Sequence, residues 1–192
     1  MRQTIFRFFS GGLDGSDSVS LRRMITANAF LLITGMMCFI AIFLNIFLSY
    51  SMVVALLDAI AFVITIITLI DLHKNQAIQR ANIVGVGNLF FLLTMFAYVS
   101  QANEFSLIWT IFFPIFTIPL LGHKKGLIVS TIYYFILFTF AYHGIGIWDD
   151  GSWSQKSFIR FFLSSTVLTY LVYSLTLRSE NYQGTEYAFD GA

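Results

Sequence analysis

Asp58 sits among Leu56, Leu57, Ile60 and Phe62, two turns into a long apolar run, and is the side chain whose position demands chemistry. An ionised carboxylate at the centre of a membrane helix costs ~2.5–3.5 kcal/mol even on the lenient insertion scale. The residue must face the interior, find a partner or stay protonated. Candidate partners at comparable depth are Asn45, His143 and Arg160, and with Glu104 and Trp109 they outline a polar, partly aromatic cavity near one membrane face. Such a set suits binding of a small molecule or lipid headgroup, a proton response through His143, or a structural polar network tying helices together.

Other chemistry finds little purchase. His73, His123 and His143 are expected at two connections on one side and a helix end on the other, so they share no metal site. The single cysteine, Cys38, excludes an intrachain disulfide or a thiolate cluster and reads as a small buried hydrophobe. No His-Glu-x-x-His, Gly-x-Ser-x-Gly or phosphate-loop spacing occurs, and Gly122-His-Lys-Lys-Gly126 reads as a tight basic turn. No catalytic residue, metal, cofactor or nucleic-acid partner is expected.

The elements that must position these residues are set by hydropathy. Hydrophobic residues make up 57% of the 192 and charged residues 11%, against about 25% charged in an ordinary globular chain. Six apolar stretches, residues 25–48, 51–71, 81–99, 105–121, 127–147 and 158–177, each approach the ~20 residues that a helix needs to cross a bilayer. The expected fold is an all-α integral membrane six-helix bundle. Residues 1–20 read as an amino-terminal segment with a short interfacial helix, 21–178 as the membrane domain and 179–192 as a tail or linker. Gly11, Gly12, Asp14, Gly15 and Asp17 interrupt the first apolar run too early for a signal peptide, so the first span is expected to be retained.

Charge gives the orientation. With the amino end inside, Arg2, Arg7, Arg22, Arg23, Lys74, Arg80, Lys124, Lys125 and Arg178 lie on the cytoplasmic side, 9 of the 11 basic residues. Both termini are therefore expected in the cytoplasm. Pro114 and Pro119 both fall in the fourth stretch, where each removes a backbone donor and predicts a kink. Asn28, Asn82 and Asn88 are expected to bridge helices, Gly85 and Gly87 to allow close approach in the third span, and Gly144 and Gly146 to loosen the end of the fifth.

The stretch from Ile108-Trp-Thr-Ile-Phe-Phe-Pro114 through Pro119-Leu-Leu-Gly-His-Lys-Lys-Gly126-Leu-Ile-Val-Ser130 resembles the membrane-associated sensor (MASE-type) domains of bacteria. A Trp followed by a Pro in one helix, then Gly-x-Lys-x-Gly-Leu opening the next, carries the likeness, and the layout extends it over about residues 22–178. The resemblance implies a sensor in the bacterial inner membrane that regulates a cytoplasmic output domain, such as a GGDEF diguanylate cyclase, fused or associated after Arg178. It also implies a homodimer, because such output domains commonly work in pairs. No Gly-Gly-Asp-Glu-Phe is present in residues 178–192, so catalysis is not carried over to this chain. A small solute transporter and a structural assembly subunit are the alternative classes, separated from a sensor by solute flux or by stable capture of a membrane partner.

Overall fold

A computed structural model of the chain describes residues 18–47, 51–101 and 103–190, with side chains over 20–47, 51–101 and 106–180. The proposed amino-terminal interfacial helix lies outside these residues. The described structure is all α-helical: α1 Ser18–Phe47, α2 Met52–Asn75, α3 Ile78–Ser100, α4 Phe112–Leu121, α5 His123–His143 and α6 Gln155–Asp190. A 3-10 helix, Asn103–Ile111, leads into α4, and a 3-10 turn, Asp149–Gly151, lies between α5 and α6. The chain divides into two compact units, Met1–Val99 and Ser100–Ala192.

Among the described residues, five helices are long and apolar enough to cross a membrane: α1 over Ser20–Phe47, α2, α3, α5, and α6 over Gln155–Glu180. The fourth apolar stretch is built differently. Its helical part, Ser106–Leu121, is shorter, and Pro114 explains the change of geometry. Proline has no N–H to bond the carbonyl four residues back and its ring crowds the preceding turn, so the backbone before it is tighter and α-helix begins only at Phe112. Pro119 lies inside α4.

In the first unit, α1 and α2 pack together as a hairpin. Ser51 starts α2: its backbone is extended and its hydroxyl accepts a hydrogen bond from the Val54 N–H at 3.4 Å, satisfying a donor the first turn leaves open. Gln76 ends the helix at φ 50°, its N–H returning to Leu72 O at 3.0 Å. Cys38, Ala61 and Leu92 meet in a small core with Leu57 and Phe62 against it, which confirms Cys38 as a buried hydrophobe. Asn88 of α3 donates to Ala61 O at 2.9 Å and to Thr65 Oγ1 at 3.1 Å, an interhelical bridge of the expected kind. A Cβ on Gly85 would stand 2.8 Å from the Phe30 ring of α1, so the close approach there needs glycine. Gly87 faces open space instead and permits no such contact.

In the second unit, α4 packs against both α5 and α6. A Cβ on Gly126 would stand 2.4 Å from Ile118 Cα and 2.9 Å from Thr117 O, so α4 and α5 approach at backbone distance. Phe113 stacks on Tyr133 with centroids 4.1 Å apart. At one end of the α5–α6 pair, Phe138 meets Phe158, Phe161 and Phe162, and Trp153 Nε1 donates to Ala141 O at 2.9 Å. Gly144 lies against the face of the Trp148 ring, with only 2.3 Å left for a Cβ. This glycine admits the tryptophan rather than loosening the helix.

The outward faces carry large apolar side chains, among them Phe39, Phe43 and Phe47 of α1, Ile60 and Ile67 of α2, and Phe135 of α5. In water so much exposed apolar surface is a liability, whereas in a bilayer it is the solvated side. Seven helical threonines fit the same solvent. Thr65, Thr68, Thr131, Thr139, Thr166, Thr169 and Thr176 each donate to a carbonyl four residues back, so none presents an unsatisfied donor to hydrocarbon.

Candidate functional site

Asp58 occupies the second turn of α2 and is 6% exposed. Asn45, in the last turn of α1, donates from Nδ2 to Asp58 Oδ2 at 3.3 Å and to Ala41 O at 2.9 Å. The hairpin thus brings together the two polar residues that the sequence places at matching depth in its first two spans. An ionised carboxylate has about four acceptor positions, and Asn45 fills one of them. A long bond to a neutral amide is a small return for withdrawing a carboxylate from water, so this position has capacity for a further donor.

The other predicted site residues belong to the second unit. Trp109 lies in the 3-10 helix, partly exposed, its ring 5.9 Å from Phe112. His143 is the last residue of α5, exposed, its ring edge-on to Tyr142 at 6.2 Å. Arg160 is exposed in the second turn of α6. No hydrogen bond, ion pair or ring contact joins these three to one another among the described residues. The Glu104 side chain lies outside the described residues.

Of two further polar contacts, the first is the helix bridge expected of Asn28, with His73 as its partner, and the second was not anticipated. His73 Nδ1 is 2.9 Å from Leu69 O, and because a carbonyl only accepts, Nδ1 carries the hydrogen. Nε2 is then the acceptor facing Asn28 Nδ2 at 3.4 Å, which ties α1 to the end of α2. The second contact is in α5 and α6: both carboxylate oxygens of Glu180 meet His123, Oε1 accepting from its backbone N–H at 3.1 Å and Oε2 from ring Nδ1. Residues 123–126, expected as a basic turn, instead form the first turn of α5, and only Gly122 connects it to α4. Sequence reasoning missed Glu180 because it lies beyond the last apolar stretch. The available signal was a His at a helix start and an acid just past the final span.

All-α units with large apolar side chains on their outward faces and multiple membrane-length helices define a multi-pass membrane domain. The MASE6 family model matches residues 16–178, and the chain belongs to this family, a type of membrane sensor domain. The MASE-type resemblance read from the sequence therefore holds at the level of the family. No curated protein and no solved structure matches the chain. As a domain of this type it is a sensor module and not a catalytic one, and among the described residues no group of three His, Cys, Asp or Glu is placed to hold a metal.

Proposed function

We propose that this domain is the signal-input part of a bacterial inner-membrane signalling protein, with both ends in the cytoplasm, and that it controls an output domain such as a diguanylate cyclase located after Arg178. The observation that carries the reading is the continuity of α6. It runs from Gln155 through Arg178 to Asp190, ~54 Å at 1.5 Å per residue, well beyond the ~30 Å of a bilayer core. A helix of that length delivers a change in packing to whatever lies beyond the membrane. Six crossings are compatible with the short fourth element, because nine residues of 3-10 helix rise ~18 Å and the ten of α4 a further ~15 Å when laid end to end.

The input is assigned to the Asn45–Asp58 pair, whose incompletely used carboxylate suits an amine, a lipid headgroup donor or a proton. Pro114 and Pro119 mark α4 as the element whose shape yields when packing changes. The domain is expected to work as a homodimer, measured as twice the protomer mass in nanodiscs. The test joins a diguanylate cyclase to the full chain and compares wild type with Asp58→Asn, which keeps shape and removes charge. Signal-dependent cyclic-di-GMP output is expected to be lost while the protein still folds, and an unchanged response would reject the role given to Asp58. Solute flux in proteoliposomes would support a transporter instead.

A further inference from the structure

Glu180 stands two residues past Arg178, at the end of the membrane-length part of α6, and its carboxylate is held at the start of α5. His123 is the first residue of α5, so its N–H has no acceptor within its own helix and points out of the amino end. Glu180 Oε1 fills that position at 3.1 Å, and the His123 ring holds Oε2. A carboxylate at a helix amino terminus also meets the positive end of the peptide dipoles. Gly122 turns the chain into this end of α5: its backbone lies at φ 84° and ψ 159°, a region open essentially to glycine.

The geometry is that of a clip. At the far end, the α5–α6 pair is fixed by the contacts of Phe138 with Phe161 and Phe162 and by the Trp153 to Ala141 bond. At the near end α6 meets the start of α5 through the partly exposed Glu180 carboxylate and a tilted ring contact between His123 and Tyr173 at 6.0 Å. Water can replace the partners of the carboxylate at that end, so the clip is the part of the pair that opens without unpacking the spans.

We propose that Gly122, His123 and Glu180 form a releasable latch that sets the register of α6 where it leaves the membrane, and that its opening is the step by which packing changes reach the residues beyond. This regulation rests on the sensor reading above. Three variants separate the contributions: Glu180→Ala removes both bonds, Gly122→Ala forces a Cβ into the glycine-only backbone, and Glu180→Gln keeps an acceptor for the His123 N–H. Amide exchange is read in the full chain in nanodiscs. A distance between spin labels at Lys125→Cys and Ser179→Cys is measured alongside it, with Cys38→Ala in every sample.

Losing a hydrogen bond to a charged acceptor is expected to speed exchange at the His123 amide at least ~10-fold in Glu180→Ala. Gly122→Ala should do the same, with a second, longer 125–179 distance in both, while Glu180→Gln falls between them and wild type. In the full chain carrying a diguanylate cyclase, the two opening variants should shift basal output at least twofold. A wild-type His123 amide that exchanges as fast as an unprotected one overturns the clip. Faster exchange with unchanged output, while Asp58→Asn alters output, overturns the latch and leaves the sensor reading standing. If Asp58→Asn is silent as well, both fail.

Discussion

Replacing Gly126 by alanine should destabilise the domain, and the size follows from one distance. The added Cβ would lie 2.4 Å from Ile118 Cα and 2.9 Å from Thr117 O, both backbone atoms that no rotamer change removes. Ordinary carbon contacts begin near ~3.5 Å, so α4 and α5 must part by about 1 Å at this point. A radial gap of that size forfeits up to about half of the attraction of each contact along the seam, and forced overpacking of this kind costs ~1–3 kcal/mol. Alanine also returns ~0.5–1 kcal/mol of helix preference, which blurs a single comparison. Gly87→Ala supplies the control, since that glycine is helical and has nothing within 4 Å of the added atom. The propensity gain is common to both variants, so their difference isolates the steric cost. Reversible unfolding in mixed detergent micelles should place Gly126→Ala ~1–3 kcal/mol below Gly87→Ala. Equal stability of the two would refute the backbone-distance approach of α4 and α5.

Asn88→Leu should cost ~1 kcal/mol in the same assay, because the bonds to Ala61 O and Thr65 Oγ1 are lost while Thr65 keeps its own bond to Ala61 O; no loss would show that the bridge contributes nothing. Reporter fusions after residues 76, 103 and 152 should give cytoplasmic, external and external signals respectively, and an external signal at 76 would overturn the proposed orientation.

The membrane class, the helical fold and the family were legible in the sequence, and the reasons differ. Apolar runs of bilayer length report directly on the solvent around a helix, which is why residues 25–48, 51–71 and 81–99 fall inside α1, α2 and α3 apart from residues 48 and 51 at their edges. They report poorly on where a helix ends. A helix satisfies its own backbone in water as well as in lipid, so α6 continues past Leu177 to Asp190 and α5 begins at His123 among lysines. Matching depth sufficed to join Asn45 and Asp58 because a short connection forces α1 and α2 to be neighbours. The same logic had no hold on Glu180, which is polar, outside the apolar runs and 57 residues from His123. Proline signalled the irregular fourth element, but the form it takes, a 3-10 helix before Pro114, depends on which carbonyls lose their donors.

The proposed function requires α6 to carry the signal as a rigid helix. Its most direct test inserts one to seven alanines after Glu180 in the full chain joined to a diguanylate cyclase, leaving the latch residues in place. Each added residue rotates the attached output domain by about 100° and advances it ~1.5 Å, so four and seven insertions nearly restore the original facing while two reverse it. Signal-dependent output should oscillate with insertion length, failing at two residues and returning at four and seven. Output that declines steadily with length, or stays the same throughout, would contradict transmission through α6.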